Sequence, residues 1–357
     1  MYKKVLVAMS GGVDSSVAAA LLIEDGYDVC GATLKLFSGE KDCNKTERTC
    51  SCDAYINDAK NVSQKMGFGH HVFDFSKEFW HLVVDKFIDS YLKAETPNPC
   101  IDCNRHIKFS KMLAKARALG YEYIATGHYA QIEFDKKSGR YLLKKAADLS
   151  KDQSYVLFYM TQDELAHTLF PLGAYTKDEV RKMAQERSLI NAHKPDSQDI
   201  CFVPDGDYIS FIRRNTDKKC TRGSFIDTDG AVLGKHDGII NYTIGQRKGL
   251  GITFGEPRYV ISKNAKDNTV TLGKHEQLFS DTLTARDLNW IMFDDLKEPM
   301  RVYAKARYKQ NAIAATITPL DGGRVSCTFD EAQRALTSGQ AVVFYSGDYV
   351  VGGGIIE

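Results

Sequence analysis

The chain has 357 residues, 43% of them hydrophobic, a formal net charge of +1 and nine cysteines. That length and composition describe an ordinary globular protein of two or three domains, and they exclude a disordered or collagen-like chain. No apolar run approaches the roughly 20 residues that a membrane-spanning helix needs.

The balanced charge argues neither for nor against a polyanionic partner, because local Lys and Arg clusters drive such binding. Met1-Tyr2-Lys3-Lys4 runs straight into an apolar strand pattern with no cleavage site between. Nine cysteines without a secretory signal then predict a cytoplasmic chain with free thiols and no membrane partner.

From residue 1 to 206, short β-branched runs alternate with helical stretches, which predicts a parallel sheet covered by helices, a doubly wound α/β domain. Val5–Ala8, Val29–Leu36, His71–Phe75 and Tyr123–Thr126 read as strands, and Ser15–Asp25, Ala54–Lys65, Glu78–Lys93 and Lys108–Ala118 as helices. Thr96-Pro97-Asn98-Pro99 interrupts this pattern, and its two prolines predict an extended loop that carries Cys100 and Cys103.

After Gly206 the runs become short and alternating, broken by Gly, Asp and Asn, and predict a mostly-β domain over 207–281. Five strand candidates follow, Val302–Tyr308, Ala312–Thr318, Val325–Phe329, Ala341–Tyr345 and Val350–Ile355, enough for a small β-barrel over 282–357. Arg301, Lys305, Arg307 and Lys309 alternate along the first of these, which predicts a stripe of four cations on one face.

The densest chemical signal is Ser10-Gly11-Gly12-Val13-Asp14-Ser15-Ser16, directly after the first strand and opening a helix. Two glycines let backbone approach an anion, and the serines and first-turn amides donate to it. No Gly-Lys-Ser/Thr ending is present, so the lysine that grips a transferred γ-phosphate in kinases and motors is missing. Asp14 would act either through Mg2+ or through a hydrogen bond within the loop.

Two cysteine motifs come next. Cys103, beside Arg105 and Lys108 near a helix start, is predicted to have a lowered pKa and to serve as nucleophile or sulfur carrier. Cys100-x-x-Cys103 also fits half a zinc site or a dithiol redox pair, and Cys43, Cys50 and Cys52 form an irregular cluster with metal-binding potential. Cys201 lies in Asp196-Ser197-Gln198-Asp199-Ile200-Cys201-Phe202.

Ser-Gly-Gly-x-Asp-Ser after strand one resembles the loop of the PP-loop ATP pyrophosphatases, which hold the β,γ-pyrophosphate of ATP as leaving group. With Asn98-Pro99-Cys100-Ile101-Asp102-Cys103-Asn104-Arg105, Ala125-Thr126-Gly127-His128-Tyr129, Lys151-Asp152-Gln153-Ser154-Tyr155, the Cys201 motif and Thr243-Ile244-Gly245-Gln246-Arg247-Lys248-Gly249 added, the chain resembles the tRNA-specific 2-thiouridylases over its whole length.

That resemblance implies adenylation of O2 of the wobble uridine by ATP, with Mg2+, in tRNAs of the Lys, Glu and Gln type. Sulfur then comes from a cysteine persulfide charged by a cysteine desulfurase or a sulfur-relay protein. Carried over by position, Ala8, Met9, Ser10, Gly11, Gly12, Val13, Asp14, Ser15, Leu34 and Gly127 would bind ATP. Cys201 would carry the persulfide and Cys103 would be its partner thiol. Asn98, Pro99 and Cys100 would line the target-base pocket; His128, Lys151, Asp152, Gln153, Arg307, Tyr308 and Gln340 would contact tRNA. A base reached at C2 must be unstacked into a pocket while flanking domains hold the backbone, which agrees with a three-domain chain.

This sequence departs from the family at one point. Many members carry Asp three residues before the first catalytic cysteine, with an acid/base role; here that residue is Cys100, and Asp102 is a weak substitute if the segment is extended. Two other readings compete. Another PP-loop ligase or amidotransferase acting on a small molecule or nucleotide would need no paired thiols, and a non-catalytic RNA-binding module would not need an intact phosphate loop.

Overall fold

The structure, a computed structural model, describes residues 2–37, 52–192, 194, 200–218 and 220–357, apart from the side chains of Cys52 and Asp53. Cys43, Cys50, the Cys52 thiol and Asp196–Asp199 therefore lie outside the described residues. The chain divides into two compact units, one of residues 1–84, 99–206 and 348–350, the other of 85–98, 207–347 and 351–357.

The first unit is built on a five-stranded sheet. β1 (Lys4–Ala8), β2 (Asp28–Lys35), β3 (His70–Asp74), β4 (Tyr123–Ala125) and β7 (Thr168–Leu169) pair in the order β3-β2-β1-β4-β7, all parallel. β1 and β2 read as near-continuous apolar runs because helices cover both faces, and Val5, Leu6, Val7 and Ala32 are fully buried. A hairpin of β5 (Gln131–Asp135) and β6 (Arg140–Lys144) separates β4 from β7. This is the doubly wound α/β domain expected.

Helix α1 (Val13–Glu24) follows β1 and is apolar nearly all round, as a helix buried on both sides must be. One flank, with Ala19 and Leu22, packs with Val5, Val7 and Met9; the other, with Val17 and Ala18, packs with Leu172, Val180 and Ala184. The last two belong to α4 (Lys177–Glu186), whose start is fixed by a capping box between Thr176 and Glu179. α2 (Cys52–Met66) runs beside β2.

The proline segment is not the extended loop expected. Pro99 opens a helix over Pro99–Asp102, which continues as a π-helix over Cys103–Lys111 and an α-helix, α3, over Met112–Ala118. The reason is positional: at the first turn of a helix a proline lacks only an N–H that would have no partner there anyway. Cys100 and Cys103 thus sit on a helix.

In the second unit, β8 (Gly223–Ile226), β9 (Val232–His236), β10 (Tyr259–Asn264) and β11 (Thr269–Gly273) form a sheet in the order β10-β11-β8-β9. Beyond it stand β12 (Phe279–Trp290), β13 (Met300–Lys305), β14 (Ile313–Leu320), β15 (Arg324–Arg334), β16 (Ala341–Ser346) and β17 (Tyr349–Ile356). They follow the order β12-β15-β14-β13-β16-β17, and β12 pairs back onto β17, closing a six-stranded barrel around Ile317, Val325, Cys327 and Phe344.

Five of these strands match the sequence pattern. The sixth, β12, is the one that removes the open edge. Closure relies on the glycine run of β17: a Cβ on Gly352 would stand 2.4 Å from the Asn289 carbonyl and 2.5 Å from the Trp290 ring.

The cationic stripe is also corrected. β13 ends at Lys305, so Arg307 and Lys309 fall in the following turn and the four do not share one strand face. Arg301 is held by Asp330 through two bonds of 2.8 and 2.6 Å. Arg307 donates to Thr337 Oγ1 at 3.2 Å and to the Ala335 carbonyl.

Gly352→Ala should lower the stability of the barrel by about 1–3 kcal/mol, the usual cost of forcing a methyl into packed backbone. Urea unfolding followed by Trp290 fluorescence reads it; an unchanged midpoint would show that the β12–β17 seam does not carry closure.

Candidate active site

The loop between β1 and α1 is held open by its own hydroxyls. Ser10 Oγ accepts from the Gly12 amide at 3.3 Å, while Ser15 and Ser16 each donate to the Gly12 carbonyl at 3.1 Å. Gly11 adopts φ +71°, a left-handed conformation glycine takes without penalty. Gly12 caps α1 without any side-chain bond to the first turn, so those amides keep their capacity for an anion.

Several residues outside the motif brace the loop. Asn191, 7% exposed, donates to the Gly11 carbonyl at 3.1 Å and to Ser16 Oγ at 2.9 Å. Lys194 reaches the same carbonyl at 3.4 Å and pairs with Asp58 at 2.8 Å. Lys177 grips Asp14, and Tyr129 OH donates to it at 2.9 Å. Sequence reasoning missed all of these; the position of Lys194 just before the Cys201 motif was the one available hint.

Gly127 must be glycine for a different reason. An added Cβ would lie 2.8 Å from the Ser15 amide and 2.9 Å from the Asp14 carbonyl carbon, so the turn after β4 presses directly on the start of α1. Ala8 ends β1, Met9 is buried and its carbonyl accepts from Thr33, and Leu34 is half-buried at the end of β2. The predicted ATP residues therefore gather around one helix start and the adjoining strand ends.

His128 is packed among Phe109 and Phe170, with Nδ1 2.7 Å from Thr126 Oγ1. Burial drives its pKa well below the usual range, so the ring is neutral. Asp152, 8% exposed, turns inward and accepts from the Ala146 and Ser154 amides and the Ser154 hydroxyl. Gln153 exchanges two bonds with Tyr129, backbone to backbone and side chain to backbone, each 2.9 Å. Lys151 is half-buried on the same turn.

In the second unit, Gln340 donates to the Thr96 carbonyl at 2.8 Å, and the Thr96 amide donates to the Ser338 carbonyl at 2.8 Å. These bonds pin the segment that ends at Asn98. Tyr308 is 37% exposed, with Lys305 Nζ 5.6 Å from its ring centre.

Three thiols of the first unit lie near enough to act on one another electrostatically. Cys103 is buried; Cys100 and Cys201 are exposed; and the charges of Cys103 and Cys100 both act on Cys201 although it lies far along the chain. The expected depression of the Cys103 pKa is not found. Burial pushes it up to about 11, and Lys108 opposes this without overcoming it. Arg105 does not help, since its guanidinium stacks 3.9 Å over the Tyr159 ring. Asp102, 6% exposed, adds a like charge that raises the Cys103 thiol further.

Cys201 is pushed up to about 12, first by withdrawal from water and then by Cys103 and Cys100. Its exposed surface lets solvent soften the first cause. Withdrawal from water also raises Cys100, softened in the same way by its exposed surface and opposed by Lys108. All three are thiols, not thiolates, at neutral pH. Among the described residues no group of three or more His, Cys, Asp or Glu is arranged to hold a metal ion, and no helix is long and apolar enough to cross a membrane.

Because these pKa values lie above the free-thiol range, alkylation of Cys103 and Cys201 by iodoacetamide should keep rising as pH climbs past about 9. Peptide mass spectrometry reads the rates; a plateau below pH 8 would mean that the free protein already activates a thiolate. Gly127→Ala should weaken ATP binding at least tenfold and cost about 1–3 kcal/mol of stability, since the methyl meets backbone that cannot move aside. Isothermal titration would expose the opposite result, wild-type affinity.

Comparison with known proteins gives the family of the chain. The family model described as the tRNA methyl transferase HUP domain matches residues 3–205, the tRNA methyl transferase PRC-barrel domain matches 209–274, and the aminomethyltransferase beta-barrel domain matches 280–356. A tRNA-specific 2-thiouridylase from Clostridioides difficile is 52% identical over 357 residues, covering 100% of this chain and 99% of its own. One from Acetivibrio thermocellus is 53% identical over 356 residues, covering 99% of each. With half its residues identical along the full length of such relatives, the chain belongs to the tRNA-specific 2-thiouridylases, a family of tRNA sulfurtransferases.

Proposed function

We propose that this chain converts the wobble uridine of tRNA to 2-thiouridine, using ATP to activate O2 and a persulfide on Cys201 as sulfur source. The observation that carries the reading is the nearness of Cys201 to Cys103 and Cys100 in the unit that also holds the open-amide loop. The descriptions of the matched domains speak of methyl transfer, the relatives' names of thiolation; a trio of thiols supports the second.

In this reading O2 of uridine attacks the α-phosphorus of ATP and pyrophosphate leaves onto the amides of Gly11 to Ser15. The terminal sulfur of the Cys201 persulfide then attacks C2. The Cys103 thiol gives up its proton and attacks the Cys201 sulfur, forming a Cys103–Cys201 disulfide as the bond to the transferred sulfur breaks and AMP departs. The transferred sulfane sulfur is reduced to the thiocarbonyl, the two cysteines are oxidised, and an external thiol reductant must reopen the disulfide before the next turnover.

Removing the proton from Cys103 is the demanding step, because burial opposes it. Asn98, Pro99 and Cys100 would line the base pocket, and Lys151, His128 and Tyr308 would face tRNA. Asp152, bonded to Ala146 and Ser154, Gln153, bonded to Tyr129, and Gln340 and Arg307, bonded within the second unit, would shape those surfaces. A cysteine desulfurase or relay protein would charge Cys201, whose exposure suits delivery from outside. Both oxygens of Asp14 are engaged by Lys177, so this carboxylate does not offer Mg2+ a ready ligand and no step is routed through that ion.

The test is incubation with ATP, unmodified tRNA, a cysteine desulfurase with cysteine as persulfide donor and a thiol reductant, read by nucleoside mass spectrometry and AMP release. Thiouridine and AMP should form together, and Cys201→Ser should abolish thiouridine while ATP still binds. AMP without thiouridine would favour an adenylating ligase of the same fold, for which the thiols are dispensable.

A further inference from the structure

A carboxylate in the first turn of the helix that must receive a polyphosphate is an electrostatic problem. Without ligand, Asp14 is welcome there, because the exposed amides at a helix start favour negative charge. With ligand, the same amides face phosphate oxygens, and an uncompensated carboxylate at that place repels them.

The fold answers with a buried cation. Lys177 is 7% exposed, and its Nζ lies 2.7 and 2.8 Å from the two oxygens of Asp14. Tyr129, 3% exposed, adds its hydroxyl at 2.9 Å. Lys177 is held from its own side: it is the first residue of α4, after the Thr176–Glu179 capping box, and its amide donates to Asp148 at 3.0 Å. The ammonium thus arrives on a rigid element that also packs along α1. Gly127 closes the other side, in contact with Asp14 and Ser15.

We infer that Lys177 is a positioning residue for the phosphate loop: it neutralises Asp14, so that the start of α1 presents amides but no net negative charge to the triphosphate, and Asp14 serves as an anchor, not as a metal ligand. This rests on the reading that the loop binds the phosphates of ATP. It also explains how a loop lacking the lysine of kinases and motors still recruits one from a distant helix, though for its own carboxylate and not for a transferred phosphoryl group.

The test is a binding cycle on the full chain with ATP, inorganic pyrophosphate and adenosine as probes, using wild type, Lys177→Met, Asp14→Asn and the double variant. Lys177→Met should weaken ATP and pyrophosphate by about tenfold or more, the scale of one buried charged hydrogen bond. Adenosine, which has no phosphate, should be far less affected. Adding Asp14→Asn to Lys177→Met should recover most of the loss, because it removes the charge that the lysine had balanced.

If the double variant binds ATP no better than Lys177→Met, or adenosine falls in parallel with ATP, the inference is overturned. If Lys177→Met does not fold, the double variant decides alone: near wild-type ATP affinity supports the neutralising role, and loss of binding rejects it. Wild type that fails to bind ATP at all would sink the underlying reading as well, which separates the two failures.

Discussion

The first turn of α1 has no side-chain cap, so its amides stay open to an anion although Val13, Ser15 and Ser16 are buried. Four side-chain groups converge on that turn from distant positions: Asn191 and Lys194 on the Gly11 carbonyl, Lys177 and Tyr129 on Asp14. Together they engage the Gly11 carbonyl and both oxygens of Asp14, and the first-turn amides are left without a side-chain cap. The helix can be buried on both flanks because its body is small and apolar, Val17-Ala18-Ala19-Ala20.

The same arrangement ties neighbouring motifs together. Gln153 is bonded to Tyr129 in both directions, Tyr129 to Asp14, and Gly127 touches the backbone of Asp14 and Ser15. The Lys151–Gln153 turn, the Gly127–Tyr129 turn and the phosphate loop therefore form one bonded cluster. The first is thus two hydrogen-bonded steps from Asp14 in the third.

The thiols obey a different constraint. Cys103 is placed where burial and Asp102 both disfavour its anion, and Lys108 alone does not compensate. Such a site keeps the sulfur protonated, the form less open to oxidation and alkylation. Cys100, close enough to act on Cys201 as Cys103 does, adds a third sulfur to the same neighbourhood.

Much of this was readable from sequence. Strand runs such as Val5–Ala8 and the Gly-Gly turn before α1 are local, and local preference agrees with the final fold. The errors share one cause, that tertiary surroundings outrank local chemistry. Pro97 and Pro99 suggest an extended loop, yet Pro99 stands at a helix start, where its missing N–H costs nothing. Arg105 and Lys108 beside Cys103 suggest a thiolate, yet Arg105 turns to Tyr159 and burial decides the pKa. By itself, then, the sequence determined which elements form and which residue types are available for chemistry, because backbone preference and periodicity act over a few residues. Only the tertiary structure decided which lysine answers Asp14 and which thiols come near one another, because those pairs lie about a hundred or more positions apart or depend on a local degree of burial that no short window of sequence contains.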